Sequence, residues 1–368
     1  MNRPDNPIRQ HVFSIPELIR LKAAACFEDV RKKLALLDTG ASRQIILTGC
    51  GYSYAACMAV KDALAECTKR QVLVLPAMDA ARFLHAESLN SDNTLLVAVS
   101  SSGAVSRINE VVLSAQKHGI RTIGLTASME SILAQQSDFA LDISSPPMAR
   151  QLPLRGYIMT VLTLLAMGET IAEDMNERVL TQLKATADAM ELRLPAIDEQ
   201  VYAYCDAARM LRVFEYVGAG YERAAAFLGK IEMMGQAGLP AIEEDSEQWC
   251  HCNFFMAEPE KIGSILFLAH NAAGFSRGCE VLGYMEHLGR PVCLATDDAS
   301  YMAAAQRHVV YLPQITPVNA GIIEMTVPSL ITGYFCDFLG EHYSRGFREP
   351  WAMFRTGCGT CESKIEIR

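Results

Sequence analysis

The sequence predicts an α/β protein made of two tandem doubly wound parallel-sheet domains, and three observations predict it. Short apolar runs end in turns bearing Gly or Ser and give way to amphipathic helical stretches, which is the pattern of βαβ units. The pattern occurs twice: Gly51 and Gly220 lie 169 positions apart, Gly103 and Gly274 lie 171 apart, and so the copies differ by a net shift of two residues. A chain of 368 residues, half of them apolar, is long enough to bury two cores. Strands that alternate with helices are joined by crossovers, so each copy forms a parallel sheet covered on both faces.

Taken in order, residues 1–40 read as a helical lead-in. The first domain, 41–170, has a strand ending at Gly51, a helix over Tyr52–Cys67, a strand over Thr94–Val99, the loop Ser100-Ser101-Ser102-Gly103, a helix over Val105–His118 and a strand over Thr122–Thr126. Residues 171–210 are rich in Glu, Lys, Ala, Leu and Met and read as a helical linker broken only at Pro195. The second domain, 211–342, repeats the order: a strand from Val213 running into Gly220, a helix from Tyr221, a strand over Ser264–Ala269, the loop Asn271–Gly274, a helix over Phe275–His287 and a strand over Pro291–Ala295. A last helix runs from Pro328 to about Gly340, and the tail 343–368, with Gly346, Pro350, Gly357 and Gly359, is expected to be extended over the active site.

Charge narrows the class of partner. With 33 Lys and Arg against 42 Asp and Glu the net charge is −9, which repels a phosphate backbone. The longest basic run is Arg31, Lys32 and Lys33, so no nucleic-acid partner is expected, and an anionic ligand must be small and held by a local pocket. Pro4, Asp5 and Pro7 interrupt the start where a secretory segment needs a continuous apolar stretch. The most apolar run, Tyr157–Met167, falls short of the roughly 18 to 20 residues that span a bilayer, so no membrane is expected. Eight of the twelve cysteines are scattered singly, mostly in apolar segments, as in a reducing cytosol, and the expected location is cytoplasmic.

In a parallel sheet the loops at the strand carboxyl ends face one crevice, and the helix N-termini that follow point N–H groups into it. Gly49-Cys50-Gly51-Tyr52-Ser53 supplies glycines and a hydroxyl, and Ser100, Ser101 and Ser102 supply three more hydroxyls, which together make a phosphate cradle without Lys. A Ser-rich loop before a helix also serves as a plain cap. The second copy has Ala272 and Ala273 where the first has Ser101 and Ser102, so only the first copy is equipped.

These residues carry a resemblance. The strand followed by Gly49 to Tyr54, the Ser100–Gly103 loop and Ile123-Gly124-Leu125-Thr126 a helix later resemble the sugar isomerase (SIS) domain, which has a flavodoxin-like fold. The duplication is similar to the isomerase part of glucosamine-6-phosphate synthase and to the fructosamine-6-phosphate deglycases, over roughly Ala35 to the C-terminus. The resemblance implies that Ser53, Ser100 and Ser102 bind a sugar phosphate, with Gly51, Tyr52 and Ser101 adding contacts. Where the family often has Thr this chain has Val105, for which Ser106 can substitute, and Leu152 to Gly156 stands in place of a Ser-Thr-Lys motif. Arg155 in that segment is either a ligand contact or a surface residue.

Aldose–ketose isomerisation and deglycation both move a proton between C1 and C2 of an opened sugar, so they need a carboxylate and an acid/base group. The segment Ala241–His251 holds four carboxylates, Trp249 and His251, and Glu247 and His251 share a face if it is helical. The resemblance places on His251 a histidine that acts across a homodimer, and it puts Gly235 where the family keeps its proton-shuttling Glu. Glu247 or Glu232 could take that part, with Glu247 favoured. The family tail brings a Lys to the sugar, which here corresponds to Lys364. Cys358 with Cys361, and Cys250 with Cys252, are two separated pairs and fall short of a four-ligand zinc pattern, so neither a metal nor an organic cofactor is expected.

The functional expectation is a fructosamine 6-phosphate deglycase acting on a small sugar phosphate. An aldose–ketose isomerase of a hexose or amino-hexose phosphate, or a non-catalytic phosphosugar sensor, are the alternatives. The roughly 40 residues before the first strand are few for a helix-turn-helix, and a chain starting at Met1 lacks the nucleophilic Cys of a glutamine-dependent synthase, so neither is expected.

Overall fold

The computed structural model describes residues 5–37, 43–85, 88–173, 177–303, 308–341, 343, 345, 348–352 and 359–367. Helices α1 (Pro7–Phe13) and α2 (Ile15–Lys33) lead into β1 (Gln44–Gly49). Then come α3 (Tyr52–Thr68), β2 (Gln71–Pro76), α4 (Ala77–Arg82), β3 (Thr94–Val99), α5 (Ser106–Lys117), β4 (Arg121–Thr126), α6 (Ile132–Gln136), β5 (Phe139–Asp142), α7 (Leu154–Ile171) and α8 (Arg178–Ala207). The second series is β6 (Val213–Val217), α9 (Arg223–Glu232), β7 (Ala241–Glu244), α10 (Ser246–His251), β8 (Ile262–Leu268), α11 (Phe275–His287), β9 (Val292–Thr296), β10 (His308–Tyr311), α12 (Ala320–Ile323) and α13 (Thr326–Leu339).

Two compact units result, and neither is one continuous stretch. One gathers 18–184 with 346–368 and holds the first sheet; the other gathers 1–17 with 185–345 and holds the second. The first sheet has the order β2-β1-β3-β4-β5 and the second β7-β6-β8-β9-β10, all parallel, so both are the doubly wound fold the sequence predicts. The central strands β3 and β8 are buried at every residue, as strands covered on both faces must be. Those two, with β1, β4, β6 and β9, are the strands the sequence reveals. The edge strands β2, β5, β7 and β10 have interrupted burial, which explains why their periodicity escapes a reading of the sequence.

The repeat extends to backbone detail. A Cβ on Gly49 would lie 2.8 Å from the Ser53 backbone, and one on Gly218 would lie 3.0 Å from the Glu222 backbone, so each sheet uses a Gly to bring the next turn close. Thr126 O accepts from Ile143 N at 3.0 Å, and Thr296 O accepts from Leu312 N at 2.8 Å, one residue pair per unit at matching places.

Two details differ from expectation. Pro195 does not break the linker: it sits inside the 30-residue helix α8. The apolar run around Tyr157 belongs to an 18-residue helix, α7, which with the segment 320–339 is long and apolar enough to cross a membrane. Both are core helices here, with 89% and 83% of those windows buried in the protein. Helix α7 lies against α3 in the first unit.

Candidate functional site

The switch point of each sheet lies between its first and third strands, where crossovers leave in opposite directions and the strand ends open a crevice. In the first unit this crevice is a cavity of about 340 Å³. Tyr52 and Ser53 enter it from the start of α3, Ser101 from the loop after β3 and Ala127 from the end of β4. Ser144, Ser145, Gln151, Leu152 and Pro153 enter from the segment after β5, and Gly156, Tyr157 and Thr160 from the first turns of α7. Among the described residues no Lys or Arg lines it. The walls therefore offer six aliphatic or phenolic hydroxyls besides Ser144, an amide and an apolar floor, with Leu152 and Tyr157 buried.

Local structure explains how these groups are aimed. Gly51 caps α3 at φ +54° with open space at its Cβ position, so the backbone turns sharply and Tyr52 and Ser53 form the first helical turn. Neither α3, α5 nor α7 has a side-chain N-cap bond. Ser100 and Ser102 work inside their loop: Gly103 N donates to Ser100 Oγ at 3.1 Å, and Ala104 N donates to Ser102 Oγ at 3.3 Å. Both hydroxyls hold the turn, while Ser101 faces the cavity. Gly103 is at φ +62°, and a Cβ there would lie 2.0 Å from Ser131 Oγ, so this loop has one admissible residue at its apex.

Of the sequence-derived ligands, Tyr52, Ser53 and Ser101 meet at the cavity, with Gly51 at its edge. Ser100 and Ser102 support the loop without lining it, and Ser106 is buried, its N–H donated to Thr360 O at 3.0 Å. Arg155 is buried rather than on the surface and lies outside the lining. Sequence reasoning missed Ser144, Ser145, Gln151 and Thr160. A serine pair directly after a strand was the available signal. The Ser144 hydroxyl donates to Asp142 Oδ2 at 2.8 Å, and Thr160 Oγ1 donates to Gly156 O at 2.8 Å.

The tail packs in the same unit by an unexpected route. The buried Glu110 of α5 receives Arg82 Nε at 2.9 Å, the Arg107 guanidinium and Glu366 N at 3.0 Å. Arg107 also donates to Ser363 Oγ at 2.7 Å and to Lys364 O at 2.8 Å. Burial alone would raise the Glu110 pKa, but the hydrogen bonds and charges of Arg82, Glu366 N and Arg107 hold it below the usual carboxylate value. Lys364 itself points Nζ at Glu366, 3.0 Å away, with its side chain 81% exposed, and it does not line the cavity. Cys358 lies outside the described residues, so the pairing with Cys361 is not described.

In the second unit α10 presents His251. Asp245 caps this short helix, its Oδ1 accepting from Glu247 N and Gln248 N, each at 2.9 Å. A buried knot anchors it from beneath: Glu215 accepts from Trp249 Nε1 at 3.0 Å, Asn253 Nδ2 at 3.0 Å, Ser264 Oγ at 2.5 Å and Arg290 at 2.8 Å. His251 Nε2 lies 3.4 Å from Glu247 Oε1 with its ring well exposed, so the helical pairing read from the sequence is present. Glu247 is also held by Arg277 Nε at 2.8 Å. Glu232 is 1% exposed and accepts from Ser329 Oγ at 3.1 Å, a position sealed from any diffusing substrate by its own unit. Gly235 lies on a wide π turn over Met233–Ala237, exposed, with nothing within 4 Å of a Cβ.

Comparison with known proteins bears on the first unit most directly: residues 41–173 match the SIS domain family model. Glutamine–fructose-6-phosphate aminotransferase (isomerizing) 2 of Mus musculus is 22% identical over 315 residues, covering 80% of this chain and 45% of that one. The chain thus spans about half the length of the curated relatives it matches. Among solved structures, the C-terminal domain of glucosamine-fructose-6-phosphate aminotransferase from Francisella tularensis has a TM-score of 0.77 at 15% identity, covering 93% of this chain and 99% of that one. Tagatose-6-phosphate ketose/aldose isomerase from Escherichia coli has a TM-score of 0.70 at 17% identity, covering 90% and 92%. Residues 41–173 thus match the SIS domain family model, and the second unit repeats the strand order of the first.

Proposed function

We propose that this protein is a phosphosugar isomerase-type enzyme acting on a ketose-amine 6-phosphate, releasing the amine as a fructosamine 6-phosphate deglycase does. The observation that carries the reading is the cavity of about 340 Å³ at the first switch point, lined by hydroxyls and an amide and, among the described residues, by no cation. Its size falls within the range of small-ligand sites. A phosphate there is held by Ser53 and Ser101 hydroxyls and by the positive end of α3, with Ser100 and Ser102 keeping the loop in shape.

In this reading the phosphate anchors the substrate and remote binding energy positions C1 and C2. His251 opens the sugar ring, and Glu247 takes a proton from C1 and returns it to C2. The C2 ketone becomes a hydroxyl and the C1–N bond becomes an imine; water adds to C1 and the amine departs. Arg277 Nε, 2.8 Å from Glu247 Oε2, and His251 Nε2, 3.4 Å from its Oε1, hold this carboxylate in place beside its proton partner. The ligand residues and His251 lie in different units, and the trans arrangement implied by the family resemblance makes a homodimer part of the proposal. All eleven described cysteines are free, which supports a reducing, cytoplasmic setting.

The sensor reading is favoured instead by Gly235, which has no side chain and which the family resemblance puts where the family keeps its proton-shuttling Glu. Incubation with a panel of fructosamine 6-phosphates and hexosamine 6-phosphates separates the two. Amine release or isomer formation supports the enzyme; saturable binding without turnover selects the sensor, and no binding by any phosphosugar overturns both.

A further inference from the structure

The crevice at the second switch point is built from different chemistry. Superposing the repeat by its strand ends puts Glu222 where the first unit has Ser53, and Asp297 where it has Ala127; both first-unit residues line the cavity. The matching hydrogen bonds confirm the register: Ser128 N donates to Thr126 Oγ1 at 3.2 Å, and Asp298 N donates to Thr296 Oγ1 at 3.0 Å. A third carboxylate, Glu324, follows α12, the helical segment after the last strand. In the first unit the corresponding segment brings Gly156, Tyr157 and Thr160 to the cavity.

Glu222 and Asp297 have backbone partners. Glu222 Oε1 accepts from Ala269 N at 2.6 Å and Oε2 from Ala219 N at 3.1 Å, while Asp297 accepts from His270 N at 2.7 Å and Ile315 N at 2.9 Å. Glu324 has none: it is 0% exposed, and neither carboxyl oxygen has a hydrogen-bond partner. Helix α12, which Glu324 follows, packs against the Gly220–Glu222 turn, and beyond burial the charges of Glu222 and Asp297 push the Glu324 pKa further up. Burying a carboxyl group with no donor costs several kcal/mol in a dry site, and protonating it still leaves its own O–H and carbonyl unmatched. Asp297 is half-buried and accepts from the backbone N of the exposed His270, whereas Glu222 and Glu324 are buried.

We propose that this second crevice is a binding site for a small primary ammonium group, held by Glu324 and Glu222 with Asp297 at its entrance. An ammonium supplies one positive charge to offset the like-charged carboxylates and several N–H donors to satisfy the Glu324 oxygens, two needs that one group meets. A directly ligated metal ion fits less well, because among the described residues no three His, Cys, Asp or Glu side chains converge closely enough to hold one. The proposal is independent of what the first unit binds, since it rests on second-unit residues alone.

The test compares melting temperatures of the full chain at pH 8 and constant ionic strength in ammonium, methylammonium, potassium and tetramethylammonium chlorides. Ammonium and methylammonium should raise the melting point by about 3 °C or more over tetramethylammonium, which has no N–H, as expected when ligand is well above its Kd. Glu324→Gln should erase that difference. If E324Q does not fold, D297N at the half-buried mouth takes its place and should at least halve the shift. Equal melting points in the four salts, a potassium effect as large as that of ammonium, or an ammonium shift that persists in the variant each overturn the proposal.

Discussion

The two switch points share strand order and the glycine that draws the next turn inward, yet the positions that are Ser53 and Ala127 at the first cavity are Glu222 and Asp297 in the second unit. In the proposed reading these two exchanges turn a neutral pocket into an anionic one. The fold supplies a mouth with helix N-termini around it; a few side chains decide the sign of the charge it accepts. In the proposed reading duplication leaves one copy to bind phosphate and the other to diverge, carrying His251 on a helix anchored by Glu215 and Arg290.

The division of labour is most easily broken by crossing the two copies. His251→Ala should lower turnover roughly 10²- to 10⁴-fold while leaving the Kd for fructose 6-phosphate unchanged, as loss of a proton-transfer group does. Ser53→Glu, which imports the second unit's residue, should weaken fructose 6-phosphate binding about 100-fold through like-charge repulsion in a partly dry pocket. Calorimetric titration beside a turnover assay reads both. If H251A weakens binding as much as turnover, or S53E still binds, the copies are not specialised in this way.

A smaller effect sharpens the comparison at the loop apices. Gly103 is at φ +62° and hard against Ser131, whereas Gly274 is at φ −82° with Ala219 Cβ 3.0 Å from where its own Cβ would be. Gly103→Ala should cost about 3 kcal/mol in urea unfolding and Gly274→Ala about 1 kcal/mol. Equal losses would mean that the first loop is not the more tightly determined.

The smallest effect is a pair of opposite pH slopes. Burial pushes Glu222 up to about 7, and Glu324 is raised in the same direction by burial and by Glu222 and Asp297. The folded second unit therefore holds more protons than the unfolded chain, and its stability falls as pH rises from about 5 to about 8. Glu110 in the first unit is shifted down, so its contribution is present above the usual carboxylate range and lost as pH falls below it. Hydrogen exchange followed by pH should show protection in the second sheet rising towards pH 5, and protection of the tail and α5 declining below about pH 4. A common slope in both units would remove the contrast.

How much of this is legible in the sequence follows from what is periodic. Both central strand sets and the loops carrying Tyr52, Ser53 and Ser101 recur at a near-constant offset, and local glycine and serine chemistry marks them. Ser144, Ser145, Gln151 and Thr160 are not visible that way, because they reach the cavity from an irregular segment whose course depends on packing of α7 against α3. Glu232 and Glu247 look alike in one dimension, and only burial under Ser329 distinguishes the first from the exposed second. The grip of Arg82 and Arg107 on the tail joins residues more than 250 positions apart, beyond any local pattern. By contrast, the substitution of Glu222 for Ser53 is written in the repeat itself, once the two copies are laid side by side.

The interleaving of the two units has a consequence for how such a chain is made and cut. During synthesis the first sheet emerges early, but residues 359–367, which close over Arg82 and Arg107, leave the ribosome only after the whole second sheet. A protein split within α8 yields an N-terminal fragment missing its clasp and a C-terminal fragment missing residues 1–17, so neither half is a faithful miniature of the domain it contains.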